Sequence, residues 1–338
     1  MTPVHDNRPR QHPERPGVES WFLRANLPGE ARSFWLKITT LGPTQGPGVA
    51  EAWCSLFDGD QTAAWRVSVP WASASLGVGQ GPAAAVTLRA AGCVWTLGEG
   101  GGTTEGALEG EAGRVSWKLR FRRHEGHFGE PLCLLPSRRL VDAPLPRSKL
   151  LTPFPVAHFS GTLTWGDTQW EIEDWIGMQG HNWQDAHAPE YAWGQCVFTA
   201  PQGEVIGMVE GATGRIRIGG MTTPRISLLG VRYREHTYRF DTLVDLWRQH
   251  PTIDFPAWSV RMRGAEGDVY LAMRGAAQRM VCLGYDNPDG TRRYCHNSKT
   301  AAVTLRVQPV RGDGFELTSR DTGALEFLLP QAHIEPVV

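Results

Sequence analysis

Residues 190–212 read EYAWGQCVFTAPQGEVIGMVEGA. Two runs rich in aromatic and aliphatic residues flank Pro201, Gln202 and Gly203, a turn signature, so the segment predicts an antiparallel hairpin. With the turn centred on Gln202 and Gly203, Gln195 lies opposite Glu210 and Val197 opposite Met208. Side chains alternate across a strand. One face then carries Tyr191, Trp193, Gln195, Val197, Met208 and Glu210, and the other Ala192, Gly194, Cys196 and Phe198. The first face sets two polar groups among large apolar ones.

The same pattern occurs earlier, in residues 19–41, ESWFLRANLPGEARSFWLKITTL. Both segments run from a Glu through an aromatic strand and a Pro/Gly turn to an apolar strand. The offset is 190 − 19 = 171, close to half of the 338 residues. A repeat of that size predicts two similar antiparallel β-barrels in tandem. The divisions expected are a polar, proline-rich, flexible tail at 1–18, an N-terminal barrel at 19–185 and a C-terminal barrel at 186–338.

The rest of the chain agrees with an all-β class. Short strand-like runs recur between Gly, Pro, Asp and Asn. In VSWKLRF (115–121), Val115, Trp117, Leu119 and Phe121 share one face and Ser116, Lys118 and Arg120 the other. Few short helices are expected; Leu243, Leu246 and Trp247 mark one. GPTQGPG (42–48) and GEGGGTTEGALEGEAG (98–113) read as low-complexity loops. GMQGHNWQDAH (177–187) reads as a loop across a barrel mouth.

Composition excludes several classes. Apolar residues make up 41%, charged residues 20%, and the formal charge is -1 with no basic run, so no nucleic-acid partner is indicated. No apolar stretch approaches the ~20 residues of a membrane span, so any membrane contact is peripheral. The first residues lack an export signal, which places the protein in the cytoplasm with reduced thiols. None of the six Cys forms a Cys-x-x-Cys pair, and no metal site is expected. Around the turn at 287–290, either Cys282 faces Cys295 or, with a bulge at Gly290, Cys282 meets His296.

The chemistry concentrates in WIGMQGHNWQDAHAPEYAWGQC (175–196) and in Glu210. A carboxyl among aromatics is disfavoured in its charged form, so its pKa rises, and a neutral carboxyl in an apolar site is what acid catalysis on an apolar substrate needs. Against this, charged residues are mostly exposed, and a solvated Glu210 would do nothing. His181 and His187 titrate near neutral pH and can serve as acid or base, or as structural hydrogen-bonders. The 14 Trp suit the walls of a cavity for a bulky apolar ligand, and equally the core of a β protein.

GHNW (180–183) followed by YAWGQC (191–196) resembles the Asn-Trp and Trp-x-Gln-Cys signatures of tocopherol cyclases. ISLLGVRYREHTYRF (226–240) and CHNSKTAAVTLRV (295–307) resemble their later strands. ESWFLRAN (19–26) resembles the opening strand shared with carotenoid 1,2-hydratases, which, with the AttH-like proteins, also carry a His-Asn/Gln-Trp-Gly loop. Gln184 departs from that pattern at the Gly, and GMQGH (177–181) replaces the more acidic loop of the hydratases. The resemblance implies tandem lipocalin-like (calycin) barrels and acid-initiated hydration or cyclisation of a prenyl double bond without a cofactor. The matching positions are Glu19, Trp21, Asn182, Trp183, Trp193, Gln195 and Cys196.

The expectation is therefore a protein that binds a lipophilic, isoprenoid-like small molecule. The catalytic candidates, in order, are Glu210, His181, Asp174 and Glu19. The substrate-binding candidates are Trp21, Asn182, Trp183, Tyr191, Trp193 and Gln195. Two functions stay open: a hydratase or cyclase acting on an isoprenoid, and a non-catalytic carrier of lipocalin type.

Overall fold

The computed structural model describes residues 2–81, 84–218, 221–242 and 245–338. It is nearly all antiparallel β, in two curled sheets consistent with two lipocalin-like barrels. The first sheet takes twelve strands from residues 17–184. Its first strand, Gly17–Asn26, pairs with its last, Thr168–Gln184, and the strands between follow as successive hairpins on either side. The second takes ten strands from residues 191–329 and repeats the plan, with Tyr191–Thr199 pairing with Phe315–Leu329. The two segments compared above, beginning at Glu19 and Glu190, thus open equivalent hairpins.

Each sheet curls around its own apolar interior. Trp21, Leu36, Trp117, Phe121 and Phe159 fill the first, and Phe198, Phe240, Trp258, Leu305 and Phe327 the second. Alternation puts the opposite faces of Gly17–Asn26 and Arg32–Gly42 outside the first interior, yet every residue of 17–26 is buried. The reason is the second sheet. Phe22, Trp35 and Trp53 from one sheet pack with Trp193, Leu283, Tyr285 and Leu328 from the other. The outer faces of the two sheets form a seam, with no strand hydrogen-bonded across it among the described residues.

The hairpin register at 191–211 is as the turn predicts: Gln195 opposes Glu210 and Val197 opposes Met208. Several other expectations change. Residues 177–184 are not a loop but the end of a 17-residue strand paired on both edges. Their glycines serve close packing: a Cβ on Gly180 would collide with the Phe22 ring. Likewise, Gly101–Gly110 is a strand, where Gly106 and Gly110 make room for Trp117 and Trp65. In the opening hairpin, Trp21 pairs with Ile38 and Glu19 with Thr40, two residues from the register that a turn at Pro28 and Gly29 implies.

The N-terminal segment, read from sequence as a flexible tail, is docked. A short helix, Pro3–Asn7, buries Asp6 and Asn7, and Asn7 O accepts the Trp21 indole N–H at 2.8 Å. Of the helix expected at 243–247, Leu243 lies outside the described residues, and Asp245–Trp247 form one 3-10 turn. All six Cys are free, and Cys282 lies opposite His296. Among the described residues no helix is long and apolar enough to cross a membrane.

Candidate functional site

Glu210 sits on the seam side of its hairpin. That face points away from its own interior, so the sequence alone leaves it to solvent. The first sheet covers it, and Glu210 is 0% exposed. Thr152, from the first sheet's strand Lys149–Trp165, donates to Oε2 at 2.6 Å. Trp193 donates its indole N–H to Oε1 at 3.1 Å. Burial pushes the carboxyl up to about 7, against the pull of these two hydrogen bonds and of Arg232 and Arg24. The group can therefore be neutral near pH 7.

Buried cations line the seam, and two of them, Arg24 and Arg232, act on Glu210. Arg24, on Gly17–Asn26, donates to the side chains of Asn26 and Gln195 and to Thr322 O at 3.1 Å. Burial draws it down to about 10, which leaves it charged at neutral pH. Gln195 Nε2 in turn donates to Pro155 O at 3.0 Å, so Gln195 fastens both sheets. Arg232 caps the carbonyls of Phe128 and Glu130. Lys299 pairs with Glu326 at 2.7 Å, and its ammonium lies 5.6 Å from the Trp193 ring and 5.5 Å from that of Trp35. Lys37 stands 3.8 Å from the Tyr285 ring centroid.

The expected residues separate into three places. Glu210, Trp193, Gln195 and the half-buried Tyr191 meet at the seam. Glu19, Trp21 and His181 lie together at the end of the first sheet under the docked N-terminal segment. There, Glu19 accepts from Arg10 N at 2.8 Å, from Gln11 N at 2.8 Å and from His181 Nε2 at 2.8 Å. Trp21 stacks on His181, whose Nδ1 lies 2.6 Å from Asp6 O. Trp183 is half-buried beneath Arg10, whereas Asn182, its neighbour in the strand, is half-buried on the opposite face. This group binds the chain's own N-terminus. Asp174 is on the surface, with a side chain 60% exposed and paired with Arg122 and His158.

Arg24, Lys37, Thr152, Lys299, Glu326 and Tyr285 were not anticipated as site residues. The available signal was a cation at a strand position between aromatics on the same face, as in Trp35, Lys37 and, across the ladder, Trp53.

Two concavities matter. A narrow cleft of about 10 Å³, room for one water, opens at the seam beside Lys37, Glu51, Trp53, His187, Tyr285 and Asp286. An open groove of about 760 Å³ lies at one end of the second sheet, lined by Tyr233, Arg234, Tyr238 and Phe315 among others.

No family model matches the chain. It is 23% identical over 295 residues to an uncharacterised protein of Mycobacterium tuberculosis, covering 86% of this chain and 81% of that one. Among solved structures it is similar to CghA, with a TM-score of 0.62 and 12% identity over 98% of this chain and 96% of that one. It is also similar to a protein assigned as AttH from Nitrosomonas europaea, with a TM-score of 0.55 and 12% identity over 97% and 99%. A third is kievitone hydratase from Nectria haematococca, with a TM-score of 0.53 and 10% identity over 97% and 93%. These likenesses span whole chains and show the shared fold. It is the AttH-type fold that the sequence resemblance implied.

Proposed function

We propose that the protein binds a lipophilic, isoprenoid-type molecule in the seam and that Glu210 protonates one of its carbon–carbon double bonds, initiating hydration or cyclisation. The observation that carries this reading is a fully buried carboxyl raised to about 7 among Trp193, Thr152 and the seam aromatics. A carboxylic acid near that value holds its proton at neutral pH and can still give it up. Kievitone hydratase supports the reading to the extent that a protein named for hydration shares the fold.

The hydrogen bonds favour one oxygen of Glu210 for the proton in this reading. Trp193 Nε1 can only donate, whereas the Thr152 hydroxyl can donate to the carboxylate or accept from the acid, so in the neutral form the acidic hydrogen sits on Oε2 with Thr152 Oγ1 turned to accept. Transfer from Oε2 to an alkene carbon uses the π pair to form the new C–H bond. It leaves a tertiary cation on the neighbouring carbon and a carboxylate at Glu210. Water, or a hydroxyl of the same molecule, adds to that cation and returns a proton to Glu210, so the acid is regenerated. The cation is stabilised by the new carboxylate and by the edge-packed Phe22 and Trp193 rings. Access requires the sheets to part at the seam.

The non-catalytic alternative, a carrier, has one observation in its favour: the large open groove does not include Glu210. Mass spectrometry of lipid extracts incubated with wild type or Glu210→Gln separates the readings. The expected result is a hydrated or isomeric product from wild type, lost by about a hundredfold or more in the variant. Wild-type turnover should also fall as pH rises through about 7, because ionised Glu210 has no proton to give. Undiminished turnover by Glu210→Gln refutes the acid, and ligand retention with no turnover by either protein supports the carrier.

A further inference from the structure

The outer face of strands Arg32–Gly42 and Val49–Asp58 holds a compact set of unmatched hydrogen-bond donors. In the ladder, Lys37 pairs with Trp53 and Trp35 with Ser55, so these four side chains form adjacent pairs on one face. Trp35 is 1% exposed and Trp53 2%, and among the described residues neither indole N–H has an acceptor. Ser55 Oγ and, one pair further along, Ser33 Oγ are also buried without partners. Lys37 Nζ makes no hydrogen bond or ion pair among the described residues; its contacts are the rings of Tyr285 at 3.8 Å and of Trp35 and Trp53 at 5.8 Å each.

The nearby carboxylates are engaged elsewhere. Glu51 accepts from Arg66 at 2.6 Å and Ser68 at 2.9 Å, and Glu326 from Lys299 at 2.7 Å. Across the seam, Asn297 Oδ1 is a buried acceptor without a donor, and the Ser33 and Ser55 hydroxyls can accept as well as donate, but none of them is within hydrogen-bond reach of Lys37 Nζ or the two indole N–H groups. Lysine and tryptophan nitrogens cannot accept, so they cannot satisfy one another. A buried donor left unmade costs about 1–3 kcal/mol. Lys37 and Trp53 both line the narrow cleft that reaches the surface beside His187 and Asp286.

We propose that Lys37, Trp53 and Trp35 form a subsite for an anionic or strongly polarised oxygen on the ligand, such as a carboxylate, an enolate or a phenolate. This rests on the reading that the seam takes a lipophilic ligand, and it adds a polar end to that ligand. The two ends of the seam are continuous: Lys299 contacts both the Trp35 and the Trp193 rings, and Trp193 holds Glu210. A bound molecule would place its oxygen at Lys37 and its apolar body toward Glu210. Burial lowers Lys37 to about 8, so the ammonium keeps its charge at neutral pH, where the oxygen would meet it.

The test compares dodecanoate with dodecan-1-ol, matched in chain and differing in the oxygen group, by titration calorimetry at neutral pH. Wild type should bind dodecanoate about tenfold to a hundredfold more tightly than the alcohol, the range for hydrogen bonds to a charged group. Lys37→Met should abolish that preference, and Trp53→Phe, which keeps an aromatic ring and removes the N–H, should reduce it several-fold. If Lys37→Met fails to fold by circular dichroism, Trp53→Phe decides. Equal affinity for the two probes in wild type, or a preference that survives both substitutions, overturns the subsite and leaves the role of Glu210 standing. Binding of neither probe overturns the subsite and the lipophilic-ligand reading together.

Discussion

Replacing Glu210 by Gln should stabilise the protein, and only at higher pH. The carboxyl titrates at 4.5 in an unfolded chain and at about 7 here. Between those values the folded state binds the extra proton, so the group's contribution to stability is present below 4.5 and is lost as pH rises through about 7. A shift of this size corresponds to about 3 kcal/mol. Glutamine reproduces the neutral acid: its oxygen can accept from Trp193, and its amide can donate to Thr152 Oγ1, as the acidic hydrogen would. The variant should therefore match wild type in acid and exceed it by about 2 to 3 kcal/mol in mild base. Urea denaturation followed by tryptophan fluorescence, from about pH 5 to about pH 8.5, reads this as a widening gap between the midpoints at constant slope. A gap that does not change with pH means that Glu210 titrates as an exposed carboxyl, and the catalytic assignment falls with it.

Two further substitutions test the frame around the site. Glu19→Ala removes the acceptor of Arg10 N, Gln11 N and His181 Nε2, so it should cost about 3 kcal/mol and speed hydrogen exchange in residues 8–18, while probe binding at the seam stays unchanged in the folded protein. Slower turnover or altered binding in the folded variant would instead make Glu19 part of the site. Gly177→Ala would press a Cβ to 2.7 Å from Ala25 Cα, a backbone atom that cannot swing aside, and thermal melting should show a loss of about 3 kcal/mol or more. Gly203→Ala is the control: its φ is +89 but nothing lies within 4 Å, so the loss should stay near about 1 kcal/mol.

The hairpin at 191–211 was legible because a turn signature fixes register and parity fixes faces. What covers a face is a different kind of information. Glu210 meets Thr152, 58 residues away, and Gln195 meets Arg24, 171 residues away, and no local pattern encodes either contact. For the same reason no local pattern marks Arg24 or Lys37 as buried. The glycine-rich segments misled in the opposite direction. Glycine marks both a turn and a place where a neighbouring ring or backbone comes close, and at Gly106, Gly110, Gly177 and Gly180 the second meaning holds. His181 and Trp21 drew attention as chemically capable groups, yet their partners lie in a proline-rich segment whose composition suggested disorder.

The raised carboxyl and the unmatched donors have one origin. Each sheet has a complete apolar interior, so stability does not require the seam to be apolar, and polar groups there cost less than in a core that must be built from them. Within the seam the effects on Glu210 oppose each other: burial raises its pKa, while Thr152, Trp193, Arg232 and Arg24 lower it. A carboxyl with burial alone would hold its proton too firmly to give it up, and one with the arginines alone would already be ionised. Further along the seam, Lys299 reaches both the Trp35 and the Trp193 rings, so the seam carries excess positive charge that an acceptor oxygen at Lys37 would partly neutralise.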